Sequence, residues 1–203
     1  MIPGATRRRL ATIGLLLVLV ACSRAPSAVY GDGIPVAHTP PGGYGRTFPK
    51  PVLARCRVPL VQGAPDLRGI WKVESITTRS GVPVPRTSRI WSYVERIEQC
   101  GNRIVVMSGG VIWDTRADGT EEHGVHDVSA LDYKSRADRI ALYQDGVFVL
   151  KPVLWRGTAL SLPWLKMTRQ LDSRGRMLWV HPDLGYRAIL KRIGGPNDSY
   201  TRL

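Results

Sequence analysis

The sequence predicts an all-β body of about eight antiparallel strands in meander order, read from three observations. Nine stretches after residue 66 are rich in Val, Ile, Trp and Tyr, and several alternate apolar with polar residues, the two-residue period of a half-buried strand. Short turn signals separate them, since Gly, Asn and Asp tolerate the positive φ of tight hairpins. No run of 10 to 12 residues carries a helical period. Ten or fewer strands in sequence either close on themselves or stack as two sheets, because both solutions hide unpaired edges.

The elements follow in chain order. LRGIWKVESI (67–76) opens the body, and RIWSYVERIEQ (89–99) follows. In the second stretch Trp91 and Tyr93 share one expected strand face while Ile90 and Val94 share the other, so both faces are at least half covered. The Cys100-Gly101-Asn102 turn leads into NRIVVMSG, and GVIWDT follows it. Asp118-Gly119 is a second turn signal inside DTRADGTEEHGVHD (114–127), the densest polar cluster, which reads as a solvated hairpin. RIALYQ and VFVLKPVLW flank the Asp145-Gly146 turn; Arg156-Gly157 precedes TALSLPWLKM; Ser173 to Gly175 precedes RMLWVH; YRAILKRI (186–193) is last.

Ahead of this body, residues 23 to 66 carry eight prolines, with Gly42, Gly43 and Gly45 among them. Such a segment sustains neither helix nor central strand and predicts an extended, semi-rigid spacer. Its end, PVLARCRVPLV (51–61), docks on the body if Cys56 is bridged.

The first 21 residues have a different character. Arg7, Arg8 and Arg9 precede an apolar core from Leu10 to Ala21, the charged, apolar, small-residue order of an export signal. A spanning helix needs about 20 apolar residues, more than this core has. The run Leu19-Val20-Ala21-Cys22 resembles the lipobox of bacterial lipoproteins. That resemblance implies cleavage before Cys22, a diacylglyceryl thioether on its sulfur and an acyl group on the new amino terminus. Ser23 stands where an aspartate would imply inner-membrane retention, so the same resemblance implies an outer-membrane lipoprotein facing the periplasm. Two or more acyl chains give stable anchoring, at about 0.8 kcal/mol per buried methylene. The rival reading is an ordinary secretory peptide with an incidental cysteine. The expected organisation is a signal peptide over 1–21, a lipidated Pro/Gly-rich linker over 22–66 and a β-barrel domain over 67–203.

With Cys22 acylated, two cysteines remain, Cys56 and Cys100. Outside the cytoplasm they are expected to pair. Two free thiols are the alternative.

The full chain carries a formal charge of +13. Without Arg7, Arg8 and Arg9, 26 basic residues remain against 16 acidic ones. The positive residues are scattered, with no dense tract and no nucleic-acid-binding motif, and an exported chain rarely meets nucleic acid. Anionic envelope surfaces are the expected partners: lipid headgroups, lipopolysaccharide phosphates, cell-wall carboxylates or an acidic protein face; a merely solvated basic surface in a high-arginine proteome is the alternative.

Gly69-Ile70-Trp71 at the start of the first strand and a last strand rich in Arg187, Lys191 and Arg192 resemble the calycin group, the lipocalins and their relatives. The resemblance implies an up-and-down barrel in which Trp71 plugs one end and a basic side chain stacks across it, Arg187 being the first choice and Arg192 the second. The second lipocalin signature is represented at most by Leu131-Asp132-Tyr133, and only ten residues follow Ile193. A small β-sandwich is the alternative architecture.

A closed eight-stranded barrel either fills with side chains or holds one small ligand. Trp91, Tyr93, Trp113 and Trp155 are the candidate ligand-binding residues. His123 and His126, near Glu121, Glu122 and Asp127, are weak metal candidates, because residues three apart face opposite sides of a strand. A calcium loop counted from Asp114 fails at Arg116 and Val125. No nucleophile elbow, HExxH or phosphate-binding Gly loop occurs, no thiol is left to act as nucleophile, and no cofactor is implied. The sequence therefore predicts a non-enzymatic, lipid-anchored binding lipoprotein for a small apolar or amphipathic ligand. The second reading is an accessory lipoprotein docked on a larger envelope complex. A cavity of about 300 Å³ or more favours the first; a filled interior with an exposed apolar patch favours the second.

Overall fold

The computed structural model describes residues 31–40, 42–122, 138–153, 166–181 and 185–201. The signal peptide, Cys22, His123, His126 and Trp155 lie outside the described residues.

The described chain is all-β. Ten strands form one antiparallel sheet: β1 Gly69–Thr78, β2 Val94–Cys100, β3 Arg103–Ser108, β4 Val111–Arg116, β5 Asp118–Glu122, β6 Asp138–Gln144, β7 Val147–Val153, β8 Met167–Leu171, β9 Met177–His181 and β10 Tyr186–Gly194. Their order is β4-β3-β2-β1-β10-β9-β8-β7-β6-β5, so the first and last strands pair and the sheet curls into a nearly closed barrel. Strand β1 pairs with β10 along almost its whole length, with register shifts at Ile70/Trp71 and Val73/Ser75. Such irregularities raise the local twist, which bends a long strand around a barrel.

The seam lies between β4 and β5, consecutive strands joined through Ala117. Side chains stitch it. Arg139 donates from Nη2 to the Asp114 carbonyl at 2.9 Å, while Glu122 accepts from the Thr115 hydroxyl at 2.6 Å and from the Arg116 N–H at 3.1 Å. On this edge of β4 the Ile112 N–H, the Asp114 carbonyl and the Arg116 N–H bond to side chains in place of a ladder.

Two sequence expectations change here. Arg89–Ser92 forms a 3-10 turn rather than the start of a strand, so Trp91 and Tyr93 do not share a strand face. The polar cluster is not a solvated hairpin at Asp118-Gly119: Gly119, at φ +82°, sits inside β5, where the pairing with β6 shifts register between Asp118 and Glu121. Gly-mediated bulges and Gly-mediated turns share one composition. The strand expected over 158–167 falls mostly outside the described residues, and β8 begins at its last residue, Met167. The Asp145-Gly146 turn stands as expected, with φ of +50° and +76°, the pair of positive values a two-residue hairpin needs.

One end of the barrel is plugged. Trp71 is fully buried, donates from Nε1 to the Leu67 carbonyl at 2.7 Å, and packs in a core that includes Ile97, Ile104, Met177 and Leu190. Gly69 is required by the crossing of β10: at φ +145°, an added Cβ would lie 2.9 Å from the Gly194 carbonyl oxygen. Arg187 is exposed, opposite Thr77, and does not reach Trp71. Arg192, the second choice, holds that position instead, 4.7 Å over the ring.

The Pro/Gly-rich segment is not an extended spacer over its described part. Residues 31–66 run along the outside of β2, β3 and β4 and back as a strap. Leu53 is buried with Val105, Met107 and Ile112, and Ile34, Tyr44 and Phe48 pack against them. Because the strap covers one face and the barrel interior covers the other, every residue of β2 is buried. Strap donors find side chains far away in sequence: Leu53 N–H reaches Glu98 at 2.7 Å and Ala37 N–H reaches Asp114 at 2.8 Å. Arg103 is gripped by both strap and barrel, through Asp114 at 2.7 Å and Asp32 at 3.0 Å, and it donates to the Ile34 and Pro35 carbonyls, each at 2.8 Å. Cys56 and Cys100 form a disulfide across 44 positions, the expected pairing, and tie the strap's return leg to the end of β2.

Candidate functional site

Inward positions follow from alternation. Glu95, Ile97 and Gln99 of β2, Ile104, Val106 and Ser108 of β3, and Trp113 and Thr115 of β4 face the interior. Arg139, Ala141 and Tyr143 of β6, Phe148 and Leu150 of β7, Met167, Arg169 and Leu171 of β8, and Met177 and Trp179 of β9 meet them. Near Trp71 these side chains fill the barrel. Toward Ser108, Met167 and His181, at the other end, they leave a cavity of about 190 Å³.

The cavity walls are mainly aromatic and aliphatic. Tyr93 stacks on Trp179 with ring centroids 4.8 Å apart and planes inclined by 16°. His181 meets the edge of Trp179 at 5.4 Å. Phe148, Leu150, Val106 and Trp113 continue the wall. Two guanidinium groups lie within it: Arg139 sits 5.3 Å over the Trp113 ring, and Arg169 sits 6.0 Å over Phe148.

Arg169 is committed to the protein itself. It makes a two-pronged bond to Glu95, Nε to Oε1 at 2.9 Å and Nη2 to Oε2 at 2.8 Å, with both side chains almost fully buried. The Tyr93 hydroxyl donates to the same carboxylate at 2.7 Å. Burial works against the Arg169 charge, yet the adjacent Glu95 carboxylate outweighs it and holds the guanidinium above the ordinary arginine range. Burial, followed by the Glu95 charge, pushes the Tyr93 phenol well above its usual value. The triad is therefore a fixed, internally neutralised cross-brace. Arg139, by contrast, bridges the seam and the cavity: it donates to the Asp114 carbonyl, lies 3.8 Å from Glu122 and presents its face to Trp113.

The structure brings together two of the four aromatic candidates, Tyr93 and Trp113, at the cavity. Trp91 is elsewhere, held by its Nε1 donating to the Pro85 carbonyl at 2.9 Å and by Arg86 stacked 3.7 Å over its ring. Trp155 is outside the described residues. Sequence reasoning missed Glu95, Arg139, Arg169 and His181. Their signal was present as inward register: Glu95 is two residues before Ile97, and Arg169 lies between Met167 and Leu171 on one strand face. Asp114 and Glu122 serve separate partners, Arg103 and the Thr115–Arg116 edge. Among the described residues, no three His, Cys, Asp or Glu side chains gather as metal ligands.

A second concavity, of about 620 Å³, lies on the outer face of β8, β9, β10 and β1, lined by Thr168, Gln170, Leu178, Val180, Arg187 and Ile189. It is open to solvent, whereas the inner cavity is walled on most sides by strands.

No family model matches the chain, and no curated protein matches it.

Proposed function

We propose that the protein is a lipid-anchored binding lipoprotein of the outer membrane, facing the periplasm, whose lipocalin-like barrel takes one small apolar or amphipathic ligand without catalysis. The observation that carries this reading is the cavity of about 190 Å³ between Trp113, Phe148 and the Tyr93–Trp179 stack. A barrel that served only as a solid block would fill this space, because protein interiors pack to near-crystalline density. The volume lies below the roughly 300 Å³ of a drug-sized pocket. It is close to the cavity of about 150 Å³ that stays dry and takes benzene in a well-studied apolar core. The ligand class is therefore a single small ring or a short branched chain. The Arg139 guanidinium supports a polar or anionic substituent on it.

Fluorine NMR of the protein with fluorobenzene and with 4-fluorophenylacetate tests this. Line broadening is expected for the wild type and is expected to vanish in Val106→Trp, which fills the cavity from a wall residue. Equal spectra for the two proteins would refute the pocket. A stronger response to 4-fluorophenylacetate, lost in Arg139→Met, would assign the polar end. The second reading, an accessory lipoprotein docked on an envelope complex, is favoured by the outer concavity around Leu178, Val180 and Ile189. Native mass spectrometry after gentle extraction separates the two readings by whether a small molecule or a protein travels with the chain.

A further inference from the structure

Four large apolar side chains stand exposed among the described residues: Val58 at 51%, Val61 at 40%, Val82 at 58% and Ile193 at 40%. Three of them belong to the plugged end. Val61 donates its N–H to the Gly101 carbonyl at 3.3 Å, in the β2–β3 turn, and Val58 lies against Gly101. Two residues on, the Gly63 carbonyl accepts from Gly146 N–H at 3.2 Å, in the β6–β7 hairpin of the same end. Ile193 stands next to Gly194, where β10 finishes. The loop Val58-Pro59-Leu60-Val61 is thus propped on two hairpins and tied down by the Cys56–Cys100 bridge. Arg55 and Arg57, both exposed, flank that bridge.

The chain's exit is at this end too. Asp32 is held by Arg103, the first residue after the β2–β3 turn. Between Cys22 and Asp32 lie residues 23–31. At no more than about 3.6 Å per residue, an anchor at Cys22 cannot stand more than about 36 Å from Asp32. The strap removes the rest of the Pro/Gly-rich segment from use as a spacer.

We infer that the plugged end rests on the lipid bilayer, with Val58 to Val61 entering the headgroup boundary, Arg55 and Arg57 on lipid phosphates, and the cavity facing away. The inference rests on Cys22 being the lipid anchor. Loop insertion adds apolar contact and headgroup attraction to an anchor that already confines the domain to the surface. Arg68, Arg116, Arg174, Arg176 and Arg192 lie at the same end with an equal number of carboxylates, Asp66, Asp118, Asp145, Asp172 and Asp198, which leaves Arg55 and Arg57 for the headgroups.

The lipidated full chain, placed in phosphatidylethanolamine vesicles containing phosphatidylglycerol and a trace of phospholipid bearing a headgroup-boundary diazirine, is irradiated and mapped by mass spectrometry. Label is expected in peptides over 55–61 and not in those over 79–85, which carry Val82 at the opposite end. Val58→Asp combined with Val61→Asp is expected to cut the 55–61 label by about fivefold or more while the thermal midpoint stays unchanged. A lipid mass on the Cys22 peptide, with label absent from 55–61 or moved to 79–85, overturns the docking alone. Protection of 55–61 by a copurifying protein also overturns it. A Cys22 peptide without lipid mass overturns the anchor reading and the docking together.

Discussion

Arg192 holds its guanidinium carbon 4.7 Å from the centroid of the Trp71 ring and donates from Nη2 to the Asp66 carbonyl at 3.0 Å. One side chain from the last strand thereby closes the indole plug and fastens the residues leading into the first strand. Arg192→Ala is expected to lower stability by about 1–2 kcal/mol, combining a lost cation–π contact with a lost charged hydrogen bond. Arg187→Ala, an exposed site, should stay within about 0.5 kcal/mol. Urea titration of both variants decides it, and equal losses would remove Arg192 from the closure.

Glu95 and Arg169 set the chemistry of the barrel's middle. Arg169→Met strands the Glu95 carboxylate in the interior, with an expected loss of about 3–5 kcal/mol. Combining it with Glu95→Leu should restore most of that loss, since an apolar pair of similar volume carries no desolvation penalty. A double variant as unstable as the single one would show that the brace has a value the geometry does not explain.

Alkaline stability reports on a buried phenol. Tyr143 accepts a hydrogen bond from Gln99 Nε2 at 2.9 Å, and burial pushes its pKa up from 10.0 to about 12. Below pH 10 the phenol is protonated in folded and unfolded chains alike and contributes no slope. Between about 10 and 12 the unfolded chain releases its proton first, so stability falls as pH rises, by at most about 1.4 kcal/mol per pH unit from this group. Tyr143→Phe should lower the slope there by this group's share, leaving the share of Tyr93, whose phenol is raised as well. Denaturation midpoints across the alkaline range, with and without the phenol, measure it.

Reduction of Cys56–Cys100 is expected to lower stability by about 2–4 kcal/mol for a loop of this size. The strap should loosen first, because the bridge joins it to the end of β2. Amide exchange of Cys56 and Val61, whose N–H groups bond to Leu53 and Gly101, should accelerate more than that of β7 and β9. Uniform acceleration would mean that strap and barrel unfold as one.

Much of the barrel was legible from local pattern. The two-residue alternation in GIWKVESITT marks a strand with one face on a core, and the continuous apolar run in RIVVMS marks one covered on both faces. The Gly-x-Trp opening and the basic last strand point to a plugged, closed sheet. β5 was not legible, because Asp118-Gly119 has the composition of a turn and serves as a bulge. The strap was not legible either, for a different reason. Its prolines and glycines describe how little it can bond to itself, whereas its partners, Glu98 for Leu53 and Asp114 for Ala37, lie 45 and 77 positions away.

Of the candidate site, the aromatic content was visible and its arrangement was not. Tyr93 and Trp113 converge on the cavity while Trp91, half-buried against the same core, is held away from it by the Pro85 carbonyl and Arg86, although all three look alike in sequence. A one-turn 3-10 segment before β2 decides which way Trp91 points, and its signal is too short to stand out.

The sequence by itself determined the class of fold, the strand succession, most hairpin positions and the pairing of two cysteines once Cys22 is set aside, because each depends on neighbours along the chain. Tertiary structure decided which arginine covers Trp71, why β2 is buried on both faces, and how Glu95 and Arg169 lie inside as a neutral pair. Alternation assigns every side chain to one of two faces, but only the packed structure says what covers each face and with what charge.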